Sequence, residues 1–256
     1  MALAVLSDLH GNLPALEAVL EEVERLGVER LLICGGVARG LFVRETLDLL
    51  LSLGGRALWL RGDAERDLVE FYDHGTARDS LSPGDLWGLE WEAGQIERRH
   101  RDFLAALPGC LTVDVEGLGP VLFCHGSPRS DGDILTPLTP EERLGHVLAG
   151  VEERVVICGQ LVAFDRLVGG VHVVGTGSAG HLSRPLGRPP GAVWALLSPG
   201  VEFRRAGYDR GRAVARFRES GHPLSDSWLE ALKFPLFPDG MSAFLEERAR
   251  RREAEG

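Results

Sequence analysis

The chain has 256 residues, with 28 Lys and Arg against 38 Asp and Glu (formal net charge −10), 44% hydrophobic residues and four cysteines. The length allows one large domain or two small ones, and this apolar share with 26% charged residues excludes a disordered chain. The acidic balance argues against a nucleic-acid binder, which needs clustered Lys and Arg, and no apolar run approaches the ~18 residues of a membrane span.

The opening MALAVLSDLHGN has no basic leader, so no targeting segment and a cytoplasmic location are expected. ALAVLS reads as a strand, SDLHGN as a turn, and LPALEAVLEEVERLG as a helix with Leu16, Val19, Leu20, Val23 and Leu26 at helical spacing. VERLLICGG follows as a second buried strand, residues 43–54 as a helix and RALWLRGD as a third strand. The alternation predicts a parallel sheet covered on both faces. Residues 64–108 read as helices capping that sheet. A hairpin over CLTVDVEGLGPVLFCHGSP ends at His125, and a helix follows at 140–150. VVICGQ is a strand, FDRLVGGVHVVGTGS a hairpin, and AVWALLSPGVEFRRAGYD two more strands. From Arg210 the tail is helical, and its final run EERARRREAEG reads as a solvated, frayed end. With no repeat and no linker, one α/β domain over 1–256 is expected, a two-sheet sandwich flanked by helices with 210–256 as a helical extension. Cys34, Cys110, Cys124 and Cys158 form no CxxC pair and read as structural thiols.

Functional groups in parallel α/β sheets collect at the C-terminal ends of strands. Segments that end that way here are SDLHGN, CGGVARG, RGDAER, CHGSP and CGQLVAFDR. Asp8 and His10 form a D-x-H pair on a strand exit, where a carboxylate and an imidazole can meet one metal ion.

The order of these segments resembles the calcineurin-like metallophosphoesterases, in particular their small bacterial branch. That family carries D-x-H, GD, GN followed by His or another residue and an acid, then HG, then GH-x-H. The matching segments are Asp8-Leu9-His10, Gly35-Gly36, Gly62-Asp63-Ala64-Glu65, His125-Gly126 and Gly159-Gln160-Leu161-Val162. The likeness runs from residue 1 to at least Asp209 and includes GTGSAG and AGYD. It implies a two-sheet metallophosphoesterase-like fold and a two-metal phosphoryl clamp with ions about 3.5–4 Å apart. One ion would be held by Asp8, His10, the residue at Gly36 and the residue at Val162. The other would be held by the residue at Gly36, Asp63, His125 and Gln160.

The chain departs from that pattern at the bridging acid, which is Gly36, and at the last histidine, which is Val162. Asp63 replaces the asparagine, Gln160 the first histidine of GH-x-H, and Ala64 the histidine that protonates the leaving group in many members. The candidate residual ligands are therefore Asp8, His10, Asp63, His125 and, through its amide oxygen, Gln160. Glu65 is expected to keep the structural role of the family's acid. His181 can supply an imidazole to a metal or to a bound phosphate, a surface-loop histidine being the commoner case. Arg39 and Arg184 can hold a phosphate, against the commoner solvated loop arginine. His74, His100, His146, His172 and His222 match no motif.

Without the bridging anion, two dications at close range repel with little to compensate. The chain is thus expected to have lost most of its dinuclear site, to be impaired or inactive as a phosphohydrolase, and to be open to binding a small phosphorylated ligand. One divalent ion (Mn, Fe, Zn or Ni) or none is expected. The alternative is an active, atypical phosphomonoesterase or phosphodiesterase with a mononuclear or rebuilt site, and a pure interaction role ranks third. No nucleic-acid or membrane partner is expected, and exposed edge strands leave a homodimer open.

Overall fold

The structure, a computed structural model, describes residues 2–77, 81–181, 183, 190–233 and 237–255. Strands β1 (Leu3–Leu6), β2 (Arg30–Cys34) and β3 (Ala57–Leu60) run parallel, separated by helices α1 (Leu13–Arg25) and α2 (Val43–Leu51). β9 (Ala192–Leu197) joins β1 antiparallel and β10 (Val201–Ala206) joins β9, giving the order β10-β9-β1-β2-β3. The second sheet has the order β4-β5-β6-β8-β7, from β4 (Cys110–Val115), β5 (Gly119–Cys124), β6 (Val155–Cys158), β7 (Ala163–Val168) and β8 (Val171–Thr176). Here β5, β6 and β8 are parallel, whereas β4 and β7 pair antiparallel at the edges.

Alternation along each strand sorts the side chains into layers. Leu3, Val5, Leu32 and Cys34 of the first sheet meet Val121, Phe123, Val155 and Ile157 of the second in one apolar core. Ala4, Leu6, Leu31 and Ile33 point the other way, onto Leu16, Val19 and Val23 of α1 and Leu47 and Leu50 of α2. Val156, Cys158 and Cys124 pack outward against Leu144 and Val147 of α6 (Glu141–Val147). Helix α1 starts where the sequence indicates: the Asn12 side chain accepts the Ala15 N–H at 3.2 Å and Pro14 stands in the first turn.

The stretch capping the first sheet forms α3 (Asp63–His74), α4 (Pro83–Gln95) and α5 (Arg98–Ala105). The tail forms α7 (Arg210–Glu219), α8 (Ser225–Lys233) and α9 (Pro238–Glu255). The closing charged run departs from its expected form, because it continues α9 and is docked. Leu245, Glu246 and Ala249 are buried, at a spacing that puts them on one helix face. Glu246 accepts from the hydroxyls of Thr136 and Thr139, both at 2.8 Å, and pairs with Arg143 at 3.3 Å. Among the described residues no helix is long and apolar enough to cross a membrane. Cys34, Cys124 and Cys158 are buried free thiols, while Cys110 is exposed on edge strand β4.

Candidate functional site

The loops leaving β1, β2, β3, β5, β6 and β8 open on one cavity of about 360 Å³. Into it come Asp8 and His10 after β1, Arg39 after β2, Asp63 at the start of α3, His125 after β5, Gln160 after β6 and His181 after β8. Asp8 and His10 both hold left-handed backbone, at φ 50° and 45°, a conformation rare for non-glycine residues that tends to persist where a site over-determines it. The turn is fixed from two sides. Asp8 and His10 donate their N–H groups to the carbonyls of Gly35 and Gly36, and the Asp8 carbonyl accepts from Gly180 N–H and the Ser178 hydroxyl.

Two acid–imidazole pairs form the floor. His10 Nε2 lies 3.3 Å from Asp8 Oδ1, and His125 Nε2 lies 3.5 Å from Asp63 Oδ1. His125 sits on glycines, since a Cβ at Gly35, Gly62 or Gly159 would come within 2.6–2.8 Å of its ring. Its Nδ1 is 2.8 Å from the Cys34 carbonyl, which fixes the proton on that nitrogen and turns Nε2 to Asp63. Burial works against the imidazolium, but the Asp63 hydrogen bond and the charges of Asp8, Asp63 and Glu65 outweigh it and raise its pKa to about 10. His125 is thus a cation paired with Asp63.

Glu65 has the structural role expected of it. Its buried carboxylate gathers four backbone N–H groups, from Gly36, Val37, Ala38 and Gly62, at 2.7–3.1 Å. That holds the loop after β2 in shape although the loop carries no acid. At position 36 the backbone has φ 73°, and a Cβ there would lie 2.7 Å from Asp8 Oδ1 and 2.8 Å from Asp8 Cα. Gln160 spends its amide on the chain: Oε1 accepts from Leu135 N–H at 3.0 Å, and Nε2 donates to the carbonyls of Gly126 at 2.8 Å and Asp133 at 3.2 Å. It pins the loop after β5. Val162 is buried. Among the described residues no three His, Cys, Asp or Glu side chains form a group that could hold a metal ion.

His181 is no surface-loop histidine. It is half-buried in the cavity, its ring 4.7 Å from that of His10 and 5.3 Å from that of Trp228 on α8. Desolvation and the neighbouring His10 push its pKa down to about 3, so it is neutral. Nor is Arg39 a solvated loop arginine. Its Nε lies 3.0 Å from Glu92 Oε2 on α4, and its Nη2 3.7 Å from Asp85 Oδ1, so its charge is already matched. Arg184 lies outside the described residues.

Glu92, His222, Trp228, Arg248 and Arg252 also line the cavity, and no motif announced them. Glu92 accepts the Gly40 N–H at 2.5 Å and faces His222 Nε2 at 3.5 Å. His222 Nδ1 accepts from Leu224 N–H at 3.0 Å, which leaves its proton on Nε2, toward Glu92. These residues come from α4 and from the extension, elements that meet only in the folded chain. The one local signal for the arginines was their spacing of four in the closing charged run, which places both on one helix face.

A solved structure of a hypothetical protein from Pyrococcus horikoshii OT3 superposes with a TM-score of 0.75 at 22% identity, covering 90% of this chain and 97% of that one. One of a metallophosphoesterase from Sphaerobacter thermophilus gives 0.69 at 22% identity, covering 91% and 99%. In sequence, an uncharacterised protein of Methanocaldococcus jannaschii is 27% identical over 132 residues, 50% of each chain, so the match spans about half the length of that relative. The profile of the calcineurin-like phosphoesterase superfamily domain matches residues 1–193, and the chain belongs to that family.

Proposed function

We propose that this chain is a calcineurin-like phosphoesterase-family protein that has given up the dinuclear centre and uses the retained cleft to bind a small phosphorylated ligand without hydrolysing it. The observation that carries this reading is Gly36. The position that would bridge two ions has no side chain, and its Cβ direction is filled by Asp8 at 2.7–2.9 Å. The rest of the donor set points the same way, with Val162 in the core and the Gln160 amide engaged by the backbone. The remaining donors pair with each other as Asp8–His10 and Asp63–His125, an arrangement that does not fit a two-metal clamp.

A second reading, a single-ion phosphoesterase, draws on the proximity of those same four residues around one cavity. Elemental analysis after incubation with Mn²⁺ and removal of free ion, run beside an Asp8→Ala/His125→Ala variant and paired with a phosphodiester hydrolysis assay, separates the two. The expected result is less than half an equivalent of metal and no turnover above the variant. One equivalent with turnover moves the conclusion to the single-ion enzyme. Two equivalents, lost in the variant, overturn the proposal.

A further inference from the structure

The lining of the cavity divides by origin. The floor, built within residues 1–193, carries Asp8 beside His10 and Asp63 beside His125. Another part of the lining is built by the extension, beyond the family match. It contributes Leu224 and Trp228 from the α8 region and Leu245, Arg248 and Arg252 from α9. Arg248 is exposed and, among the described residues, has neither an ion-pair nor a hydrogen-bond partner. Arg252, one turn on along the same face, donates to the carbonyl of Gly132 at 3.0 Å, between Asp131 and Asp133, which also line the cavity. Trp228 is half-buried beside the ring of His181, tilted 39° to it, with the His10 ring at 6.1 Å.

Those groups ask for two things of one occupant. An anion belongs at Arg248 and Arg252, where a guanidinium can hold a phosphate by paired N–H donors. On the floor the Asp8 carboxylate repels it, and His125 is already paired with Asp63. A flat ring belongs on Trp228, which offers an aromatic surface at low entropic cost. A cavity of about 360 Å³ lies in the range that takes a compact organic ligand whole. We propose that the ligand is a nucleoside monophosphate, bound with its base on Trp228 and its phosphate at Arg248 and Arg252. This deepens, and rests on, the reading of the cleft as a phospho-ligand site. It also accounts for binding without hydrolysis, because the phosphate is held by arginines and not by the Asp8–His10 pair.

The test is calorimetric titration of the full chain, treated with chelator, against adenosine monophosphate, ribose 5-phosphate and adenosine. Adenosine monophosphate is expected to bind at least tenfold more tightly than either fragment. Arg248→Gln, a change at an exposed side chain, should weaken adenosine monophosphate about tenfold and leave adenosine unaffected. Trp228→Leu, checked for fold by circular dichroism, should remove the advantage of adenosine monophosphate over ribose 5-phosphate. Equal affinity for ribose 5-phosphate and adenosine monophosphate overturns the nucleotide assignment and leaves the phospho-ligand reading standing. Equal affinity for adenosine and adenosine monophosphate overturns the role of the arginines. Failure of both phosphorylated probes to bind overturns the inference and the reading beneath it.

Discussion

Gly36 shows how one residue closes off a chemistry. Its φ of 73° lies in the left-handed region, where side chains are disfavoured, and its missing Cβ would press on the Asp8 backbone as well as its carboxylate. Restoring the family's acid by Gly36→Asp is therefore expected to destabilise the fold by about 2–4 kcal/mol, from backbone strain and forced displacement of Asp8. It should not create a two-ion site. Denaturant unfolding with metal analysis of the variant checks both statements, and a variant of unchanged stability that takes up two ions would show the loop to be free to move. His125 yields the second prediction at this scale. Its folded pKa of about 10 lies above the unfolded value of about 6.5, so the Asp63–His125 pair contributes fully below about pH 6.5. As pH rises from there to about 10 the unfolded chain loses its proton first and the contribution drains away. The denaturation midpoint of the chelated protein should fall across that window, and His125→Asn should flatten that part of the profile. Parallel profiles for the two proteins would mean that the pair carries no such linkage.

Among the elements, legibility followed how locally each one is determined. Helix α1 could be read because its apolar stripe, Leu16 to Leu26, directly follows the SDLHGN turn, and the Asn12 cap and Pro14 of the structure agree with that start. β1 and β6 could be placed as buried strands from their unbroken apolar runs, though only the structure shows which alternate residues face the other sheet. The five strand-end segments were found for the same reason, since each follows such a run directly, and together they bring Asp8, His10, Asp63 and His125 to one floor. Helix α9 could not be read that way. Its buried face includes Glu246, and the partners that make that carboxylate tolerable, Thr136, Thr139 and Arg143, lie more than 100 positions away. A carboxylate buried with three distant partners looks identical in sequence to one in solvent. His181 was misplaced on the same grounds, because Trp228 and not its own loop covers it.

At the scale of the whole molecule, the cavity exists because three separate parts of the chain close around it, and one buried charge group joins them. Arg39 stands in the loop after β2, Glu92 on α4, and His222 between α7 and α8. The Arg39 side chain is 16% exposed and that of Glu92 3%, so each charge depends on the other being present. Removing one partner leaves an uncompensated charge in a desolvated place, whereas removing both leaves a smaller deficit. Glu92→Ala alone is expected to cost about 3–5 kcal/mol, because it leaves the largely buried Arg39 guanidinium only Asp85, at 3.7 Å, and also frees the Gly40 N–H that now donates to Glu92. Arg39→Ala strands the Glu92 carboxylate but leaves it the Gly40 N–H and His222, so its cost should be the smaller of the two. Combined, the substitutions should be less damaging than the sum of the singles by about 1–3 kcal/mol, the coupling of a contacting pair. Denaturant unfolding of the four proteins gives that number directly. Additivity within about 0.5 kcal/mol would mean that the three parts close on apolar packing alone, with Leu81, Leu224 and Trp228 holding the cavity together and the charges contributing nothing beyond their own neutralisation.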